Sequence, residues 1–415
     1  MLFEFQIAKR LYSDRKEKKR ISKPAVFIAV LGIAIGFIVM MVTVAVVVGF
    51  KGEIRSKAVG FNSDIQVSNY NTVAAYESHP IAVSDSLREI LDSNPEILKN
   101  QRYSTKAGLI KTDDNFQGMI LKGVGQEYDT SFFSKYIVDG RLPAFNDSTS
   151  TNEVMLSATM AELLDLKLND RIYTYFTEDE GIKARRLEIV GIYQTNFYEY
   201  DKLYLLTDIN LVNRLNKWGK DQYTGLEIGI ANYDKLTEIT EDLGDLLYDT
   251  EDPYGEPYIV SNIEQLNPQL FGWLALLDLN VWVILGLMMA ISGFTVISGL
   301  LILILEHTQM IGLFKGLGAT NLSIRKIFIW LAVFLIGKGL FWGNLIGLSL
   351  CFIQSKFSLI PLDPKVYHVS AIPVSVSFWW MALLNLGVII ISVLILVGPS
   401  YLVSKINPAT SMRYE

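Results

Sequence analysis

The sequence predicts a membrane protein of four transmembrane α-helices, with a large α+β extracytoplasmic domain of two subdomains inserted between helices 1 and 2. Three observations lead there. Half of the 415 residues are apolar and the mean hydropathy is +0.29, too high for an ordinary soluble enzyme. The apolar residues gather into four runs, each longer than the ~20 residues that cross a ~30 Å hydrocarbon core. Lys and Arg concentrate in the short segments between these runs, while the one long segment is strongly acidic.

The first run, 24–50, is 27 residues without a charge and follows a basic, amphipathic segment at 1–23. It exceeds the ~7 to 15 residues of a signal-peptide core and lacks a small-residue cleavage site, so it is expected to stay as a signal anchor. The second run, 279–305, is another 27 uncharged residues. The third, 327–354, is interrupted once, by Lys338, and the fourth occupies 377–403. Positive flanks resist translocation. Eight Lys and Arg lie in 1–23 and Lys315, Arg325 and Lys326 lie in 306–326, against Lys356 and Lys365 in 355–376. Both termini, including the tail at 404–415, are therefore predicted to be cytoplasmic, which puts 51–278 outside. That segment holds 37 Asp and Glu against 21 Lys and Arg, a net of −16, a poor surface for nucleic acid or anionic headgroups. The only cysteine, Cys351, falls in the third span, so no disulfide is available to the outer domain.

Within 51–278, short strands alternate with short helices. A strand at 64–67, a helix at 84–91 opened by Ser84, and a hairpin of 106–112 with 116–124 about the turn Asp113-Asp114-Asn115 form one group. A strand at 224–230, a helix at 234–247 and a strand at 257–260 resume the pattern, giving two βαβ-like halves of one subdomain. The stretch 126–221 reads as an insert: a helix at 158–166 and strands at 171–176, 186–193 and 202–206, rich in Ile, Val and Tyr. Helical spacing at 51–61 and an apolar, aromatic stretch at 266–279 suggest that the first two membrane helices continue beyond the bilayer as a stalk.

The machinery of an enzyme is missing. The sequence has no G-x-x-x-x-G-K-[ST] phosphate loop, no G-x-S-x-G elbow and no paired cysteines, and His79, His307 and His368 fall in different loops. Consecutive acids such as Asp113-Asp114 and Glu178-Asp179-Glu180 read as solvated turns. No metal site or cofactor is expected.

Four segments resemble the lipoprotein-releasing (Lol) permeases, a branch of the FtsX-like ABC permeases with a MacB-like periplasmic domain. They are Ile7-Ala8-Lys9-Arg10-Leu11-Tyr12 with Leu31-Gly32-Ile33-Ala34-Ile35-Gly36 and Gly49-Phe50, then Ile189-Val190-Gly191-Ile192-Tyr193 with Glu199-Tyr200-Asp201, then Ile311-Gly312-Leu313-Phe314-Lys315-Gly316-Leu317-Gly318-Ala319-Thr320, and last Asn407-Pro408-Ala409-Thr410-Ser411-Met412-Arg413-Tyr414-Glu415. The resemblance implies a permease of the bacterial inner membrane that pairs with a second permease, itself or a paralogue, and with two cytoplasmic ABC ATPases. These would drive an acylated lipoprotein out of the outer leaflet toward a periplasmic carrier. ATP would be bound by the partner, which fits the absent phosphate loop. One subunit type of that family carries a proline-containing hook in the insert, whereas the connection here is only Thr177-Glu178-Asp179-Glu180-Gly181-Ile182, without proline.

Specific residues follow from both lines of argument. In the cytoplasmic loop 306–326, Met310, Ile311, Leu313, Phe314 and Leu317 form a helical apolar stripe that a partner groove would accept; with Glu306 and Lys315 it is the expected ATPase-coupling segment. The alternative is an interfacial helix on lipid. Gly36, Val39, Met40 and Gly293 are candidate lipoprotein contacts between the first two spans, with close helix packing by Gly32, Gly36, Gly293 and Gly299 as the competing explanation. Lys338 is a charge near mid-membrane, expected to face protein or water, with Asn344, Asn385 or backbone carbonyls as partners. Other functions weighed are an FtsX-like mechanotransmitter that regulates a cell-wall hydrolase and a MacB-like exporter.

Overall fold

The computed structural model describes residues 2–13, 22–72, 79–112, 115–146, 151–178 and 181–400. The acidic pairs Asp113-Asp114 and Asp179-Glu180 and the terminal motif at 407–415 lie outside the described residues. Two compact units emerge, a helical one up to Lys51 with Trp273–Pro361 and from Ala371 onward, and a mixed one formed by Gly52–Gly272 with Leu362–Ser370.

The helical unit starts with α1 (Leu2–Ser13) and α2 (Ser22–Asn62). At ~1.5 Å per residue the 41 residues of α2 make a rod of roughly 60 Å, about twice the hydrocarbon thickness. After Lys23 no charge follows until Lys51, and the helix continues for three turns past it into the mixed unit.

In the mixed unit the chain runs through β1 (Ile65–Asn69), β2 (Ile81–Ala82), α3 (Asp85–Ser93) and the hairpin β3 (Ile97–Lys111) and β4 (Phe116–Val124). Ser84 caps α3 by accepting the Leu87 N–H at 3.1 Å, which stops the chain from continuing as strand. Next come α4 (Ser131–Lys135), β5 (Ile137–Gly140), β6 (Glu153–Ser157), α5 (Ala158–Leu164), β7 (Arg171–Glu178), β8 (Gly181–Tyr193), α6 (Tyr198–Asp201), β9 (Tyr204–Asp208) and α7 (Ile209–Asn216). The unit finishes with β10 (Gln222–Tyr223), β11 (Gly225–Ile230), α8 (Leu236–Leu247), β12 (Tyr258–Asn262) and α9 (Ile263–Leu266).

Two substructures share this unit. Strands β12, β1, β11 and β3 lie side by side, all antiparallel, with α3 and α8 as crossovers, the βαββαβ arrangement that two βαβ-like halves produce. Ile65, Val67, Leu226 and Ile228 pack against Leu87, Ile239 and Leu243, and the end of α2 joins this core through Ala58 and Phe61. The second substructure is a closed barrel: β3 pairs β4, β4 pairs β9, β9 pairs β6, β6 pairs β8, β8 pairs β7, and β7 returns to β3. Closure removes free sheet edges. It depends on two long strands that change partners midway. β3 pairs β11 up to Tyr103 and β7 from Leu109 onward, and β8 pairs β7 up to Glu188 and β5 from Gly191 onward. The barrel thus takes two staves from the hairpin that the sequence pattern placed before residue 126. Its own core includes Ile110, Leu121, Phe176, Ile189 and Leu205.

The chain returns to the helical unit through α10 (Pro268–Glu306), followed by α11 (Thr308–Gly316) and α12 (Asn321–Phe357). A short α13 (Pro364–Tyr367) belongs to the mixed unit, and α14 (Phe378–Ser400) is the last helix described. Among the described residues, α2, α10, α12 and α14 are long and apolar enough to cross a membrane. Gly339, Gly343 and Gly347 form a ladder on α12 whose missing side chains admit Ile33, Phe37 and Met41 of α2. This small-residue spacing lets two backbones approach closely where no hydrophobic effect drives association.

Candidate functional site

An apolar cavity of about 330 Å³ opens among α2, α10 and α14 at the end of the bundle where α2 leaves for the mixed unit. Val44 and Val48 of α2, Trp282 and Leu285 of α10, and Trp380 and Leu383 of α14 line it. Val44, Val47 and Val48 are short side chains, so they leave space that the tryptophans frame without filling. Asp278 reaches the same cavity and its carboxylate pairs with the Lys51 ammonium at 2.6 Å. Both groups are substantially exposed, so the pair adds little stability; its effect is to put both signs of charge at the rim of an apolar space.

Two or more turns deeper the seam is closed. A side chain at Gly36 would meet Ser292 Oγ, one at Gly32 would meet Thr295, and one at Gly299 would meet Ala29, so α2 and α10 touch along these glycines. Gly293 faces Ile395 of α14. Met40 is fully buried in the bundle core, Val39 is half-buried, and the cavity begins at Val44, one turn beyond Met40.

At the opposite end of the bundle, α11 divides the predicted stripe between two faces. Ile311 is fully buried in the bundle core, with Met310 and Phe314 packed partly buried against it. Leu313 and Leu317 point away, 55% and 77% exposed. Lys315 is half-buried, and Gly318, at φ +90°, ends the turn after α11 in a conformation that favours glycine. Both carboxylate oxygens of Glu306, the last residue of α10, are withdrawn from solvent without a hydrogen-bond partner among the described residues. Asn344 and Asn385 exchange amide hydrogen bonds at 2.8 and 3.2 Å across α12 and α14, while Lys338 lies on the exposed outer face of the bundle.

The sequence reading passed over a buried ion pair in the mixed unit. Lys122 of β4 donates to Glu227 of β11 at 2.6 Å and to the carbonyl of Phe61, and its side chain and that of Glu227 are 2% and 1% exposed. The ammonium therefore satisfies a carbonyl at the negative end of α2. Burial pulls the Lys122 ammonium down and pushes the Glu227 carboxyl up, each opposed by the partner's charge. The rings of Tyr103 and Tyr128 flank the ammonium at 5.7 and 5.4 Å. The available signal was alternation: Lys122 shares a strand face with Val124, which is fully buried in the core beside the end of α2.

Four helices long and apolar enough to cross a membrane, with a domain of βαββαβ and barrel parts between the first two of them, define the class, a multi-pass membrane protein with a large inserted α+β domain. The chain belongs to the FtsX-like ABC permeases with a MacB-like periplasmic core: the MacB-like periplasmic core domain model matches residues 26–244, over half the chain, and the FtsX-like permease C-terminal model matches 282–408. It is 21% identical to the lipoprotein-releasing system transmembrane protein LolC of Xylella fastidiosa, over 93% of each chain. It is also 21% identical to LolC of Neisseria meningitidis, over 97% of each. Among solved structures, the extracellular domain of the Gram-positive ABC-type transporter YknZ aligns at a TM-score of 0.33 and 16% identity, over 48% of this chain and 99% of that one.

Proposed function

We propose that the chain is the permease subunit that extracts acylated lipoproteins from the outer leaflet of the inner membrane and passes them to a periplasmic carrier. A second permease, itself or a paralogue, completes the membrane pair, and separate cytoplasmic ATPases dock at α11. Both termini are cytoplasmic in this reading, and the chain needs no cofactor of its own. The names of the LolC relatives support the substrate class. The observation that carries the reading is the apolar cavity lined by Val44, Trp282 and Trp380 with the Lys51–Asp278 pair at its rim. An acyl chain would be held by the apolar walls, and the polar group that bears it would sit by the charges.

The test is photocrosslinking in the assembled complex. A crosslinker at Val47 or Leu285, both lining the cavity, is expected to capture lipoprotein, and one at Val39, one to two turns deeper, to capture it far less. Capture of only neighbouring subunits at all three positions would overturn the reading. The short β7–β8 connection, where the strands pair out to Glu178 and Gly181, favours a MacB-like exporter as the second reading. Copurification separates the two, since trapped lipoprotein supports the first and a soluble cargo the second.

A further inference from the structure

Between barrel strands β8 and β9, residues 194–203 form a short turn containing the motif Glu199-Tyr200-Asp201. Three chain segments that lead to membrane helices end on it. Asn62, the last residue of α2, donates its amide to the Tyr200 hydroxyl at 2.9 Å. The same hydroxyl donates at 2.6 Å to Oδ1 of Asn267, which immediately precedes α10. One oxygen thereby bridges the segments leading to the first and second spans. The third is the loop between α12 and α14, whose His368 ring meets Phe197 edge-on at 5.2 Å and whose His368 carbonyl accepts from Lys57 of α2 at 2.9 Å.

The turn is in turn fixed to the barrel. Tyr200 stacks between Phe197 and Tyr204, with centroids at 4.6 and 5.4 Å, and touches Phe61 at 4.9 Å. The Asp201 carbonyl accepts from Ser157 at the end of β6, and its fully buried carboxylate accepts from Thr195 at 2.6 Å. Aromatic stacking of this kind constrains orientation as well as burying area. A displacement of any one of the three segments is therefore delivered to the same few side chains, and through them to the barrel.

We propose that residues 195–201 are the joint through which the membrane helices set the position of the barrel, with Tyr200 as its positioning residue. The inference rests on the reading that a partner ATPase moves the spans. Tyr200→Phe keeps the ring stack and removes only the bridge. In the reconstituted complex it should leave assembly and basal ATP hydrolysis within twofold of wild type and lower lipoprotein release at least fivefold, as should Asn267→Ala. Tyr173→Phe, on the exposed outside of the barrel, should do neither. Release at the wild-type rate in both joint variants overturns the proposal, and so does a parallel loss of assembly, which marks the turn as structural only. The second arm places cysteines at 62 and 267 in a chain carrying Cys351→Ala and joins them with a reducible thiosulfonate linker. Linking should stop release and reduction should restore it; release that continues while linked overturns the joint. If the wild-type complex releases no lipoprotein, the proposed function falls instead. The joint is then judged on ATP hydrolysis, and a linker that leaves hydrolysis unchanged overturns it.

Discussion

At the scale of single residues, the informative groups are the polar ones that the fold takes out of water. Asp201 has no accessible surface, its Oδ2 has no hydrogen-bond partner among the described residues, and burial raises its pKa from 3.8 to about 6 despite the opposing Thr195 hydroxyl and the Lys57 charge. The sign of its linkage follows. Between about pH 4 and 6 the folded chain keeps a proton that the unfolded chain has released, so stability falls as the pH rises through that window and is level above it. The slope is at most about 1.4 kcal/mol per pH unit for one group. Unfolding of the full chain in detergent, compared with Asp201→Asn at intervals from pH 4 to 7, should show the wild type losing stability relative to the variant up to about pH 6. A difference that does not change over this range would mean that the carboxylate stays ionised throughout. Glu199-Tyr200-Asp201 was legible in the sequence only as one of the segments that carry the family resemblance, which could not show which acid is buried. That depends on Lys57 and His368, which are 144 and 167 positions away along the chain and reach the turn only once the fold is complete.

At the scale of elements, legibility follows the range of the interaction that makes each element. Spans are written in their own composition, the start of α3 in the Ser84 cap, and the β3–β4 hairpin in two adjacent apolar runs. Barrel closure is written nowhere locally, because β3 meets β7 more than sixty residues later and because β3 and β8 each pair with three other strands. The glycine ladder on α12 was legible in principle. Gly339, Gly343 and Gly347 recur every four residues, but Gly337 beside them, which meets nothing, made the pattern look like a flank around Lys338. The ladder makes a sharp prediction. A Cβ at Gly343 would lie 3.0 Å from Phe37 and 3.3 Å from the Ala34 carbonyl, so the backbone of α2 must give way to anything larger. Gly343→Leu should cost about 1–3 kcal/mol and lower the thermal midpoint of the purified chain. Gly337→Leu, in open space on the same helix, is the control and should leave it unchanged. Equal midpoints for the two variants would show that the α2–α12 seam is not tight.

At the scale of the whole molecule, the proposed function has a separate ATPase supply the work, which requires one surface that binds that chain without belonging to the permease's own core. The two faces of α11 separate these tasks. Ile311, Met310 and Phe314 hold the helix to the bundle, and a charge at Phe314 would be set against the core that contains Ile311. Leu313 and Leu317 are the apolar residues left to a partner. Phe314→Asp should therefore lower the yield of folded permease. Leu313→Asp with Leu317→Asp should leave yield and thermal midpoint unchanged while cutting ATPase copurification at least tenfold. A helix that merely lies on lipid would also present these leucines outward, and a second pair of substitutions distinguishes that case. Lysine can keep its stem in an interface and extend its ammonium to water, so Leu313→Lys with Leu317→Lys would be tolerated by a lipid-bound helix. A protein groove that accepts leucine rejects either charge. Loss of the ATPase with both the Asp and the Lys pair, measured at equal permease yield, assigns the outward face of α11 to the partner. Retention with the Lys pair assigns it to the membrane and moves the docking surface elsewhere.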